Sequence, residues 1–454
     1  MSLHKMTSES NATNGAEIGH EPHLAYEEAP VTRFHAFVAA VSAGGLFSDG
    51  YALGTIGVAL SIARHSLHLN ALWLGILGSA SLAGLFLGSL FLGPLADRIG
   101  RRPLFVPTMA VFSIVSLLQF FVRTGEQLLV LRLLLGLMLG VDYVACSTVL
   151  SEFAPRHARG RLLSLLVIMW TVGYTLAFVI GTVLQSAVTN SWRWILASGA
   201  IPSALIFLLR LRLPESPPWL IQRGRLADAR RIIDRYLGKN IRLPVVTSSI
   251  SQTTKPAWTE LFSDRIRRRT AVGAIFFTAQ VIPYFAINTF IPIVFAAFGI
   301  SNPYTSGVVS NIFLLLGSVF GLWLVDKVTR RQFLVGTFYL SATILLILAL
   351  AENAPSFIII TLFAMFAFVL SAATNLELVY LPELFPTRLR ASGVGLGTAA
   401  SRIGSALGTF LLPVSLTSIG IRPTLGLCVG VLLAGGIISH LFAPETRDRS
   451  IEEV

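Results

Sequence analysis

Four charged side chains stand deep inside apolar stretches of this sequence, and their types suit proton and anion chemistry. Asp49 lies in Phe47-Ser-Asp-Gly-Tyr51, Asp142 in Gly140-Val-Asp-Tyr143, Arg132 ten residues before it, and Arg402 in Ser401-Arg-Ile-Gly404. Ionisable groups in such surroundings are expensive, so each is a functional candidate, with structural ion pairing as the alternative. Asp49 and Asp142 each fall about 15 residues into their runs, the middle of a helix rising ~1.5 Å per residue. Two carboxylates facing one another in a poorly hydrated site would leave at least one protonated near neutral pH, which is what a proton carrier needs. Arg132 stands ~15 Å from Asp142 along its helix, too far to pair with it but able to lean toward the run holding Asp49. Arg402 would grip a bound carboxylate through two parallel hydrogen bonds, unless Glu377 or Asn375 satisfies it from within. Gln280, Tyr284 and Asn288 recur four apart and would form one polar stripe, suited to solute hydrogen bonds or to packing.

The elements that must hold these residues are set by composition. Hydrophobic residues make up 54% of the 454 and charged residues only 13%, with a mean hydropathy of +0.72, which excludes an ordinary soluble globule. Twelve apolar runs, at about 34 to 60, 71 to 92, 104 to 122, 127 to 152, 161 to 186, 192 to 211, 270 to 298, 303 to 325, 331 to 350, 355 to 381, 390 to 413 and 421 to 442, are each long enough to cross a ~30 Å hydrocarbon core. The net charge of +12 is a topology signal. Of the 35 Lys and Arg, 28 fall in alternate connections on one side, and only Arg64, Arg123, Arg193 and Arg422 on the other. The positive-inside rule places both termini and the long middle loop in the cytoplasm. Nucleic acid is not an expected partner, and no nucleophile-base pair, phosphate loop or metal cluster suggests an enzyme or a cofactor. Cys146 and Cys428 lie in apolar runs and read as small hydrophobes.

A repeat organises the chain. Gly93-Pro-Leu-Ala-Asp97-Arg98-Ile-Gly100-Arg101-Arg102-Pro103 returns as Gly321-Leu-Trp-Leu-Val-Asp326-Lys327-Val-Thr-Arg330-Arg331, with Asp97 and Arg101 each 229 residues from their echoes. Glu152-Phe-Ala-Pro155 matches Glu383-Leu-Phe-Pro386 at 231, and Pro214-Glu215-Ser216 matches Pro444-Glu445-Thr446 at 230. The chain therefore reads as an all-α membrane protein with twelve transmembrane helices in two pseudo-symmetric six-helix halves. The expected divisions are a disordered tail at 1–33, bundles at 34–211 and 270–442, a linker at 212–269 with an amphipathic helix near Arg225 to Leu237, and a short tail at 443–454. In each half a glutamate closes an even-numbered run and an arginine opens the next seven residues on: Glu152 with Arg159, Glu383 with Arg390. Such charges can pair across the inner mouth as weak latches of a two-state gate, alongside Gly93, Asp97, Arg101, Asp326 and Arg330. Glycines four apart, as at Gly84 and Gly88 or Gly136 and Gly140, mark close helix contacts.

The motif GPLADRIGRRP resembles the signature of the major facilitator superfamily between its second and third helices. The repeated Glu-to-Arg spacing and PESPPWL resemble its sugar-porter-like branch, with Pro218 where an arginine is usual. Phe385-Pro-Thr-Arg-Leu-Arg390-Ala-Ser-Gly393, followed by Arg402, is similar to aromatic-acid and nicotinate-type proton symporters. Their span 1 carries Asp-Gly-x-Asp, matched here by Asp49-Gly50 but with Ala52 in the last place. Gly140-Val-Asp142-Tyr143 is also similar to phosphate-proton symporters. The resemblance implies the major facilitator fold and a monomeric inner-membrane carrier moving a small organic anion with protons. Asp49, Asp142 and Arg132 would handle the proton, and Arg402, Gln280, Tyr284, Asn288, Asn375 and Glu377 the solute. A sugar or polyol proton symporter is the alternative.

Overall fold

In the computed structural model the described residues are 24–244, 257–264, 266–351, 354–386 and 389–446. Twelve helices long and apolar enough to cross a membrane make up the body: span 1 (Arg33–Ser66), span 2 (Ala71–Phe91), span 3 (Arg102–Phe121), span 4 (Gly125–Phe153), span 5 (Arg156–Ala187), span 6 (Ser191–Arg210), span 7 (Arg267–Thr289), span 8 (Pro303–Val325), span 9 (Arg330–Leu350), span 10 (Ser356–Glu383), span 11 (Ser392–Ser418) and span 12 (Ile421–Phe442). Helices are the only open-chain solution here, because lipid offers no partner to an unpaired backbone group. The interruptions fall inside the protein: span 6 breaks at Gly199, span 10 at Thr374, and span 7 restarts as Ile291–Ala297 after Phe290. The chain is a multi-pass membrane protein built as two groups of six helices.

Within each group the small residues set the helix spacing. A Cβ on Gly136 would stand 2.8 Å from the Ser81 Cα and 2.9 Å from the Gly84 Cα, so spans 2 and 4 touch backbone to backbone. Gly317 and Gly321 bring span 8 against Phe368 and Ala372 of span 10 in the same way. This is the contact that lipid-embedded helices rely on, since apolar burial alone does not favour helix over lipid.

Other glycines join the two halves. A Cβ on Gly57 of span 1 would collide with the Thr289 carbonyl of span 7; Gly75 would meet the Phe410 carbonyl of span 11, and Gly307 of span 8 would stand 2.5 Å from the Phe178 ring of span 5. All lie toward the end away from the arginine-rich connections, so that end is shut. Nearer the middle, Thr175 Oγ1 donates to the Asn311 carbonyl at 3.1 Å. At the basic end, every described salt bridge stays within its own half or the linker.

Residues 24–32, expected in a disordered tail, are built into the structure, whereas 1–23 lie outside the described residues. Leu24 forms a bridge with Ile241, and Tyr26, Ala29, Ile233 and Ile241 make a small core. The amphipathic linker helix forms over Leu226–Tyr236, with Ala229 and Ile233 buried. It sits beneath the first half, where Phe34 stacks on Tyr236 at 4.5 Å. Its apolar face is used against protein, under the bundle. The expected polar linker lies outside the described residues at 245–256, as does the tail beyond 446.

Gly57→Val should prevent closure of the far mouth, because no side chain fits between spans 1 and 7 there. Spin labels at positions 65 and 300 should report a longer, broader distance than in the wild type; an unchanged distribution would show that the contact is not what shuts that end.

Candidate proton and solute sites

Span 1 carries Asp49 at the point where the first half is most tightly wound. One turn earlier a Cβ on Gly45 would stand 2.5 Å from Asp142 Oδ2 and 2.8 Å from Cys146 Sγ, and would collide with Arg210 Nη2. Asp142 of span 4 and Arg210 of span 6 form a two-pronged ion pair, Nη1 to Oδ1 and Nη2 to Oδ2 at 3.0 Å, with both side chains fully buried. Arg210 is fixed further by the Phe105 carbonyl at 2.8 Å and by the Phe105 ring 3.6 Å beneath its guanidinium. Cys146 donates to Asp142 Oδ2 at 3.1 Å. Asp49 is within electrostatic reach of both members of the pair, 1% exposed, and neither of its oxygens has a hydrogen bond.

The two aspartates therefore come together, as their matched depths predict, but not as equals. Asp142 is committed to a cation, and Asp49 is not. Of the two aspartates expected to handle the proton, Asp142 is thus placed in a buried bidentate pair with Arg210, and Asp49 is the one left without a hydrogen bond. Arg210 was passed over in the sequence because it closes a run, where arginine ordinarily anchors a helix in the headgroups. The usable signal was that a helix one turn short places it at the depth of Asp142. Arg132 does lean to span 1: Nη1 and Nη2 both donate to the Ala52 carbonyl at 3.3 Å, and Nε has no partner.

Arg402 lies where the halves face each other. It is 5% exposed, its guanidinium 5.1 Å from the centre of the Tyr143 ring of span 4 and 6.0 Å from that of Phe277 of span 7. Its Nε has no hydrogen bond, and Glu377, within its electrostatic reach, has Oε1 likewise unpaired. The span 7 stripe is buried as well: both side-chain amide atoms of Gln280 and the Oδ1 of Asn288 lack partners, while Asn288 Nδ2 donates to the Tyr284 carbonyl at 2.8 Å. Trp170 of span 5 stacks on Tyr174 and reaches Tyr284 and Phe285 of span 7, giving an aromatic wall shared by the two halves. Asn375 does not join this group. Its Nδ2 donates to the Ser318 and Ala372 carbonyls at 3.0 and 3.1 Å, holding span 8 against the break in span 10, so its expected solute contact is replaced by packing.

At the basic end the repeat is realised residue for residue. Arg101 pairs with Glu152 through Nη2 at 3.0 Å and Nε at 3.1 Å, and Arg330 Nε pairs with Glu383 at 3.3 Å. Glu215 accepts the backbone N–H of Arg101 and Arg102 at the start of span 3, and Glu445 those of Arg330 and Arg331 at the start of span 9. Each carboxylate thus covers the positive end of a helix from the segment just after its half's last span. The expected Glu152–Arg159 and Glu383–Arg390 pairs do not form: Arg159 turns back to the Ala154 carbonyl at 3.3 Å, and Arg390 Nε is unpaired. A glutamate on a helix leans toward the helix N-terminus, away from the following turn, and the left-handed Gly100 (φ 111°) swings Arg101 into its reach. Gly93 and Asp97 are helical with side chains outside the described set, the backbone staying helical past Pro94 to Ile99. Asp326 caps the end of span 8.

The sugar (and other) transporter family matches residues 36–454. The chain belongs to this family, within the major facilitator superfamily. It is 42% identical over 423 residues to the inner membrane metabolite transport protein YgcS of Escherichia coli, covering 93% of this chain and 94% of that one. It is 25% identical over 436 residues to the niacin transporter NiaP of Acinetobacter baylyi, covering 94% and 98%. Its fold superposes on the xylose transporter XylE of E. coli in a partially occluded inward-open conformation, with TM-score 0.78 at 18% identity over 92% of this chain and 100% of that one. The protein is a transporter of the sugar and metabolite type, not an enzyme.

A double-mutant cycle separates the ion pair found from the ion pair expected. Arg101→Gln with Glu152→Gln should be non-additive in thermal stability by roughly 0.5–3 kcal/mol, whereas Arg159→Gln with Glu152→Gln should be additive; the reverse pattern would show that Glu152 works through Arg159.

Proposed function

We propose that this transporter moves a small carboxylate-bearing metabolite together with protons by alternating access, as a monomer in the inner membrane with both termini cytoplasmic. The observation that carries the reading is Arg402. A guanidinium at that depth, bracketed by rings from both halves and free of any carboxylate within salt-bridge distance among the described residues, favours an anionic solute. The solute carboxylate meets Arg402, and Gln280, Tyr284 and Asn288 orient the remainder. Glu377 stands by as the alternative counter-ion in the solute-free carrier. The aromatic wall of Trp170, Tyr174, Tyr284 and Phe285 suits a flat or apolar body on that carboxylate.

Asp49 carries the proton. A protonated Asp49 and a solute-neutralised Arg402 leave little net charge in the middle of the membrane, which lowers the free energy of moving the halves past one another. The Arg101–Glu152 and Arg330–Glu383 pairs act as weak latches of the cytoplasmic mouth, with Asp97, Asp326, Arg159 and Arg390 at the same rim. The distribution of Lys and Arg supports placing this end in the cytoplasm, and the inner-membrane name of YgcS supports the location.

A sugar or polyol symport reading is favoured by the family match and by the XylE fold likeness. Uptake into proteoliposomes decides between them. With an inward pH gradient, labelled nicotinate should accumulate and be displaced by excess benzoate but not by xylose; Arg402→Gln should lower uptake at least tenfold. Asp49→Asn should lose gradient-driven accumulation and keep nicotinate counterflow. Displacement by xylose with Arg402→Gln unaffected would replace the anion reading by the sugar one, and unchanged coupling in Asp49→Asn would remove Asp49 as carrier.

A further inference from the structure

The pairing of Arg210 with Asp142 places a formally neutral ion pair beside an unpaired carboxylate, and this arrangement has a chemistry of its own. The two prongs to Asp142, the Phe105 carbonyl and ring, and the Cys146 sulfur all hold Arg210 in one position, on atoms of spans 3 and 4. Asp49 receives none of its hydrogen bonds among the described residues. With Asp142 ionised and Arg210 charged, the cluster carries one net negative charge when Asp49 is ionised and none when Asp49 holds a proton. Dry surroundings make that difference large.

We propose that Asp142 and Arg210 act as a fixed counter-ion pair that sets the proton affinity of Asp49, so that spans 1, 4 and 6 form a one-proton site contained wholly within the first half. Arg210 and Asp142 are positioning residues in this scheme, acting on the proton only through Asp49. The groups facing Asp49 are few. Span 4 presents Asp142, Tyr143 and Cys146, and span 6 presents Arg210. Span 5 presents the Trp170 backbone, which packs on Gly50; Tyr51, on span 1 itself, is bonded to Ser198 at 2.8 Å. Arg402, of the second half, meets Tyr143 with its guanidinium 5.1 Å from the ring centre. Because every charged group that touches the site belongs to one half, the site keeps its composition when the halves move, and the proton travels with its own half while the solute is exchanged at the interface between them.

The geometry fixes the sign of two substitutions. Removing the cation leaves two carboxylates to share the space, so the proton is held to higher pH; removing Asp142 leaves the cation facing Asp49 alone, so the proton is lost at lower pH. The proposal rests on proton-coupled transport, and its test does not use transport. The full-length carrier in liposomes is titrated by pH-difference infrared spectroscopy, following the carbonyl stretch of a protonated carboxylic acid. One such band should vanish in Asp49→Asn and persist in Glu377→Gln. Its midpoint should move up by about one pH unit or more in Arg210→Gln and down by a similar amount in Asp142→Asn. If Arg210→Gln fails to fold, the charge-balanced Asp142→Asn/Arg210→Gln carrier should keep the band with a midpoint near that of the wild type. A band that survives Asp49→Asn, or midpoint shifts that are absent or of one sign in the two single variants, would overturn the proposal. Expected spectra with no gradient-driven uptake would instead leave the site standing and remove its coupling to transport.

Discussion

A charge surrounded by hydrocarbon must be answered from within the protein, and the placement of every important side chain here follows from that constraint. Water cannot reach Asp142 or Arg210, so each is answered by the other, and removing one partner of such a pair destabilises by roughly 3–5 kcal/mol. The pair ties span 4 to span 6 and, through the Phe105 carbonyl, to span 3. Span 1 crosses it at a residue with no side chain, Gly45, which is why Asp49 one turn later arrives beside the pair without becoming part of it. Helix order in the first half and the isolation of Asp49 are two results of one electrostatic requirement.

The second half solves the same problem differently. Its deep cation, Arg402, has rings for neighbours where Arg210 has a carboxylate. The halves are thus alike in fold and at their basic ends, where Arg101, Glu152 and Glu215 are repeated as Arg330, Glu383 and Glu445, and unlike in the middle. Duplication explains the likeness, because both halves need the same helix-start caps and the same weak ionic ties at an aqueous rim. Proton and solute are different ligands, and the divergence at mid-membrane is what the proposed division of labour between the halves requires.

The tail and linker extend the first half's rigid body. Tyr26 donates to the Glu152 carbonyl at 3.0 Å while the Glu152 carboxylate holds Arg101, so the segment before span 1 and the ion pair at the basic end share one residue. The hydroxyl is buried against that backbone and close to the Glu152 charge, and both effects push its ionisation well above the ordinary tyrosine range. The tyrosine is therefore a neutral donor at any physiological pH, a fixed brace under a gate whose ionic parts are weak.

What the sequence determined by itself was whatever depends on length, composition and periodicity. Twelve apolar runs, the asymmetric arginines and the repeat near 230 residues were enough for an all-α, two-half transporter, because a bilayer accepts so few architectures. The depths of Asp49, Asp142 and Arg402 were legible for the same reason, each residue advancing a helix by a fixed rise. Rotation about the helix axis and the identity of neighbours were not. Only tertiary packing decided that Asp142 belongs to Arg210, that Glu152 takes Arg101 over the arginine seven residues away, and that Asn375 serves the break in span 10. Those pairings join residues 51 to 68 positions apart on different helices, and side-chain partners at that separation are chosen by how the helices turn toward one another, which no local spacing encodes.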